Sequence, residues 1–196
     1  MGLPPTPSDE TLEPLCRRLQ ASDRSAFEQV FRLLREGLLR YVQALVGDGA
    51  LAHDLVQDVF LDLWSRRETL SPGRPLRPYI YRMARNRALR HLRDTRTHAR
   101  KEAELQYEMP STTAPHEGPD AALDAEALRE QIGRWLAALP DRQREALVLS
   151  RFHQLSHREV AAIMDVSPRT VNNHIVRALA QLQRCARAFD LLLWNP

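Results

Sequence analysis

The chain has 196 residues, enough for one ordinary domain or two small ones, and 43% hydrophobic content supports packed cores rather than wholesale disorder. No apolar run approaches the roughly 18 residues of a membrane span, and Met1-Gly2-Leu3-Pro4-Pro5 lacks the basic and apolar stretches of a secretory signal, so a cytoplasmic protein without membrane contact is expected. Net charge is +3, the two cysteines, Cys16 and Cys185, are too few for a disulfide framework or zinc cluster, and seven scattered histidines show no paired ligand spacing, so no metal or other cofactor is expected.

Nearly every apolar pattern is helical. From Glu10 to Gln20, Leu12, Leu15, Cys16 and Leu19 recur three or four residues apart. That places Cys16 on the buried stripe as an inert thiol. Ser22 or Asp23 can cap a second helix, whose apolar side runs through Phe27, Val30, Phe31, Leu34, Leu38, Tyr41, Val42 and Leu45 until Gly47-Asp48-Gly49 ends it. A third helix is expected from about Leu51 to Arg66. Ser71-Pro72-Gly73-Arg74-Pro75 reads as a loop, and Pro78 opens a fourth helix reaching about Thr95. Residues 110–120, with three prolines, one glycine and no large apolar side chain, form the clearest linker. Helices resume near Asp120, Pro140 interrupts them, and two short helices and a longer one follow. No segment alternates like a strand. The expected fold is all-α, in two small helical domains joined by a flexible linker.

The modest net charge hides a pattern. Between Arg66 and Lys101 there are 12 basic and two acidic residues; between Glu102 and Glu130, eight acidic and one basic; between Gln131 and Arg187, nine basic and four acidic. Two basic blocks separated by an acidic one suggest two polyanion-facing surfaces joined by a spacer. On the third helix, Leu55, Val56, Val59, Phe60 and Leu63 share one face, while Asp54, Asp58 and Asp62 recur every fourth residue on the opposite one. Such a carboxylate row serves solubility or meets a basic partner, and spacing does not decide between them. The next helix reverses the sign. Tyr79, Arg82, Asn86, Arg90 and Arg93 share a face, Ile80, Ala84, Ala88 and Leu92 mark a packing face, and Tyr81 and Arg85 flank it. Arginines neutralise phosphates and tyrosines stack on unpaired bases. For Tyr81, nearer the apolar side, a core role and a stacking role both stand.

These two helices resemble region 2 of extracytoplasmic-function sigma factors, subunits that direct RNA polymerase to promoters. The run Asp54-Leu55-Val56-Gln57-Asp58-Val59-Phe60-Leu61-Asp62-Leu63-Trp64 is similar to their polymerase-binding helix, and Arg77-Pro78-Tyr79-Ile80-Tyr81-Arg82-Met83-Ala84-Arg85-Asn86 to their promoter-opening segment. The resemblance implies that Asp54, Gln57, Asp58, Leu61 and Asp62 dock on the clamp of core RNA polymerase. It implies that the loop around 67–77, with Tyr79, Tyr81, Arg82, Arg85, Asn86, Arg90 and Arg93, takes single-stranded DNA of the −10 element. A flipped base costs a few kcal/mol to unstack, which a shaped pocket can offset.

Towards the C-terminus, Ser156-His157-Arg158-Glu159 forms a capping box, followed by an apolar stripe of Val160, Ala161, Ile163 and Met164. Asp165-Val166 makes a tight turn and Ser167-Pro168 starts a helix as N-cap and first residue. Val171, Ile175, Leu179 and Leu182 would be buried, leaving Arg169, Thr170, Asn172, Asn173, His174 and Arg177 outside or at the N-terminus. This is the pattern of a helix-turn-helix, whose second helix presents its first residues to the major groove. His157 and Arg158 can hold phosphates. The block 139–184 resembles sigma region 4, which reads double-stranded DNA at the −35 element. Two departures stand out: Asp165 replaces the family's usual turn glycine, and Asn172-Asn173-His174 occupy positions commonly basic there.

The resulting domain expectation is a disordered N-terminus at 1–7, region 2 at 8–97, a flexible acidic linker at 98–124, region 4 at 125–187 and a tail at 188–196. The linker should let the two domains move independently in the absence of partners. Family members are commonly restrained by anti-sigma proteins, so the resemblance also implies such a partner. The alternative is a LuxR-type helix-turn-helix regulator, because Ser167–Ile175 also resembles the DNA-binding helix of that group. A nuclease reading of the aspartate row fails on spacing, since successive turns spread the carboxylates about 6 Å apart. No phosphate-binding glycine loop or nucleophile–base set occurs, so no enzymatic activity is expected.

Overall fold

The computed structural model describes residue 7 and residues 9–71, 73–103 and 131–193. Among these, every regular element is helical: α1 (Asp9–Gln20), α2 (Arg24–Val46), α3 (Gly49–Ser65), a 3-10 turn (Arg67–Thr69), α4 (Leu76–Ala103), α5 (131–137), α6 (Asp141–Leu147), a π turn (Val148–Phe152), α7 (His157–Met164) and α8 (Pro168–Leu193).

Local chemistry sets the boundaries. Asp23, rather than Ser22, caps α2: its Oδ1 accepts from the backbone N–H of Ser25 at 2.8 Å and of Ala26 at 3.2 Å. Ser22 instead sits at φ 64 and accepts a 2.8 Å bond from Arg67 Nε. α2 ends in a left-handed residue, Gly47 at φ 77, and the next residue, Asp48, caps α3. Ser156 and Glu159 form the reciprocal capping box at α7, and Asp165 closes that helix in the left-handed region at φ 56 and ψ 53. Ser167 Oγ accepts from the backbone N–H of Thr170 at 3.1 Å, capping α8.

Several expectations are corrected. α4 begins two residues before Pro78, because a proline in the first turn removes an N–H that has no helical acceptor anyway. It continues past Thr95 to Ala103, through residues 98–103 of the expected linker. α8 continues to Leu193, through most of the expected tail. The rest of the linker, the stretch resuming near Asp120 and residues 1–6 of the N-terminus lie outside the described residues.

α1–α4 form the N-terminal bundle, with α2 packed against α1, α3 and α4. The predicted stripes bury: Leu55, Val56, Val59, Phe60 and Leu63 of α3 meet Val30, Leu34 and Leu38 of α2 in a common core. Phe27 and Phe31 meet Phe60 edge-on, at centroid distances of 6.3 and 4.8 Å. In the C-terminal half, α6 and α7 pack on α8 through Ala146, Leu147, Val160, Ile163, Met164, Val171 and Ile175.

In this structure the two halves pack together. α7 packs directly on α4, and the buried residues of both halves form one continuous core.

Candidate nucleic-acid interface

The outward face of α3 is built by the helical period that buries its apolar side. Asp54 and Gln57 are exposed, and Leu61 stands 57% exposed between them and the end of the helix. Asp58 and Asp62 are half-buried, and both pair with Arg87 of α4, Asp58 through a 2.7 Å bond to Nη1 and Asp62 through Nη2. Arg87 was not singled out from the sequence. Its i, i+4 spacing to other charges on α4 carried no signal, because its partners lie on another helix.

On α4, Arg82, Asn86, Arg90 and Arg93 are exposed together and Tyr79 is half-buried. Arg74 and Arg82 extend the basic rim around a cleft of about 400 Å³, walled by Leu70 and Tyr79 on one side and by Arg158 and Ala162 of α7 on the other. The cleft combines an aromatic wall, apolar floor and guanidinium rim, a chemistry suited to an unstacked base on a phosphate backbone.

Tyr81 and Arg85 do not join that exposed face. Tyr81 is 1% exposed and Arg85 is 6% exposed. Arg85 makes a bidentate pair with Glu145 of α6, at 2.6 Å from Nε and 3.3 Å from Nη2. Tyr41 Oη donates to the same carboxylate at 2.8 Å. One turn earlier on α4, Tyr81 Oη lies 3.1 Å from His153 Nδ1, and two turns earlier Arg77 Nη2 donates to the backbone carbonyl of His153. The rings of Tyr41, Tyr81 and His153 meet at centroid distances of 5.4–5.9 Å.

The electrostatics follow from burial. Desolvation pushes the Tyr81 phenol up to about 12, and that of Tyr41, with the Glu145 charge beside it, well above the ordinary range. Desolvation, with Arg40 and Arg77 nearby, lowers the His153 imidazole to about 4, so it is neutral at physiological pH. Removing one member of a buried ion pair strands the other charge at a cost of about 3–5 kcal/mol, although the intact pair adds little net stability. Two structural features serve this contact. The π turn carries the chain from α6 to His153, and Gly37 of α2 lets Tyr81 approach: a Cβ there would lie 2.7 Å from Tyr81 Oη. Neither Glu145, His153 nor Gly37 was singled out from the sequence. Gly37 was the one available signal, since glycine within a helix costs about 1 kcal/mol relative to alanine and calls for a packing reason.

In the helix-turn-helix, His157, Arg158, Arg169, Asn172, Asn173 and Arg177 are exposed, while Thr170 and His174 are half-buried. Thr170 Oγ1 also lies 2.8 Å from Ser167 Oγ within the cap. Val171 and Ile175 are buried as expected, whereas Leu179 and Leu182 are half-buried. Arg158 faces the cleft against α4. Among the described residues there is no cluster of three or more potential metal-ligating side chains and no helix long and apolar enough to cross a membrane.

Residues 30–98 match the family model described as sigma-70 region 2, and residues 129–182 match sigma-70, region 4. The RNA polymerase sigma-E factor of Streptomyces coelicolor is 32% identical over 165 residues, covering 84% of this chain and 88% of that protein. RNA polymerase sigma factor CarQ of Myxococcus xanthus is 28% identical over 177 residues, covering 89% and 97%. Among solved structures, CnrH in complex with the cytosolic domain of CnrY aligns at TM-score 0.65 with 22% identity, covering 90% of this chain and 97% of that one. RpoE in complex with the anti-sigma factor NepR from Bartonella quintana aligns at TM-score 0.64 with 22% identity, covering 82% and 96%.

Proposed function

The chain belongs to the extracytoplasmic-function RNA polymerase sigma factors, with sigma-70 regions 2 and 4, and from that membership we propose how its surfaces divide the work. As a sigma factor it binds core RNA polymerase, directs initiation at specific promoters and acts on promoter DNA. It works as a cytoplasmic regulatory subunit without enzymatic activity of its own. An anti-sigma protein is a further partner of this class.

In this reading, region 2 spans 8–97 and region 4 spans 125–187, with the acidic stretch 98–124 joining them. The α3 face of Asp54, Gln57, Asp58, Leu61 and Asp62 docks on the polymerase clamp. Tyr79, Arg82, Asn86, Arg90 and Arg93, joined by Tyr81 and Arg85 once these are uncovered, hold the unpaired −10 strand. His157, Arg158, Arg169, Thr170, Asn172, Asn173, His174 and Arg177 engage duplex DNA at −35. The single observation that carries this reading is the pairing of opposite faces on adjacent helices: a carboxylate face with an exposed leucine on α3, and an arginine face on α4 beside the cleft. Protein docking and strand capture can then occur side by side without competing for the same side chains. Relatives spanning nearly the whole chain are sigma factors, and no observation favours the LuxR-type alternative.

The test uses Asp54 and Leu61, because Asp58 and Asp62 also hold Arg87 and their reversal would disturb α4. The double variant Asp54→Arg, Leu61→Glu is expected to weaken binding to purified core polymerase at least about tenfold, with thermal unfolding within about 0.5 kcal/mol of the parent. Unchanged polymerase affinity would remove this face from the docking surface.

A further inference from the structure

Three side chains at the start of α4 that suit nucleic acid are already engaged by the C-terminal half. Arg85 holds the Glu145 carboxylate in a two-bond fork, the geometry in which a guanidinium holds a phosphate. Arg77 is turned onto the carbonyl of His153. Tyr81 presents its ring and hydroxyl to the His153 imidazole. An anionic group and an aromatic ring thus sit beside α4, the two kinds of group that a nucleotide of a single strand offers.

We propose that the C-terminal half is an internal competitor for single-stranded DNA: Glu145 takes the place of a strand phosphate on Arg85, and the His153 ring takes the aromatic contact of Tyr81. The inference rests on the reading of Arg85 and Tyr81 as −10 strand contacts. The free chain is then self-masked, and strand capture requires that α6 and the π turn leave α4.

The composition of the contact suits repeated separation. Beside the apolar packing of α7 on α4, its polar centre is an ion pair, a phenol and an imidazole, and these regain water or a new partner when the halves part. A buried ion pair contributes little net stability against its solvated components. The closed contact is also incompletely satisfied, because the buried Arg77 Nε has no hydrogen-bond partner. A phosphate offers acceptors for such a guanidinium. Asp54, Gln57 and Leu61 are exposed in the closed chain, so a protein partner can engage α3 before the halves separate.

Two full-length variants test the masking. Glu145→Gln removes the carboxylate charge, and Gly37→Ala pushes a methyl group against Tyr81 Oη from α2 while leaving every assigned contact residue in place. Anisotropy of a short fluorescein-labelled single-stranded DNA of mixed sequence reports strand binding, and small-angle X-ray scattering reports chain dimensions, both without polymerase. Both variants are expected to expand and to bind the strand about tenfold more tightly, because the binding-competent fraction rises. Unchanged dimensions and affinity in both would overturn the masking while leaving the strand-contact assignment standing. Expansion without any gain in affinity would overturn it by the other route, taking Arg85 and Tyr81 out of the strand site. Adding Arg85→Ala to Glu145→Gln should abolish the gain. A gain that persists would contradict the role of Glu145 as a phosphate substitute.

Discussion

His153 is an imidazole kept neutral by its surroundings, and it makes the junction between the halves sensitive to pH. Burial is the main cause, and the charges of Arg40 and Arg77 add to it, bringing the group from 6.5 to about 4. Protonation is therefore disfavoured in the folded, closed chain. Its contribution to stability is complete above about pH 6.5 and is lost as pH falls towards 4, with a size of about 3 kcal/mol. The urea midpoint should fall across that window, and His153→Gln should flatten the fall. An identical slope in the variant would show that His153 is not the titrating group. At this scale, what could be read from the chain alone was what depends on near neighbours. Asp23, Ser156 and Ser167 cap helices through partners two or three residues away. Glu145 could not be read, because its partners Arg85 and Tyr41 lie 60 and 104 residues away.

At the scale of single elements, the apolar stripes of α2, α3 and α7 were legible because burial follows the helical period. The same period placed Arg82, Asn86, Arg90 and Arg93 on one exposed face. It did not settle Tyr81 and Arg85 on the flank, where burial depends on which element packs alongside. Nor did it find the π turn, whose extra residue breaks the period and turns His153 inward. Helix α8, proposed to read duplex DNA, is the element whose proposed role depends least on the junction. Its outward Arg177 is exposed in the closed chain. Arg177→Ala should cost about 1–3 kcal/mol in binding to duplex DNA carrying the −35 element if it reads a base, and leave core-polymerase affinity unchanged. A gel-shift titration at fixed salt measures the first, and equal duplex affinity would exclude Arg177 from the contact.

Across the whole molecule, the alternation of basic, acidic and basic blocks anticipated two polyanion-facing surfaces, and a spacer rich in proline argued for independence. In this structure both halves share a core, joined through α4 and α7 and a polar centre. That arrangement could not be deduced from composition, because it depends on complementary groups brought together from α2, α4 and α6. The sigma-factor account requires both halves to act within one complex: α3 on polymerase, α8 on duplex, α4 on the opened strand. Run-off transcription tests that requirement most directly, using purified core polymerase and a pool of genomic promoter fragments with and without this protein. The account predicts discrete transcripts that appear only when the protein is present. Duplex DNA binding by the protein with no protein-dependent initiation would contradict it.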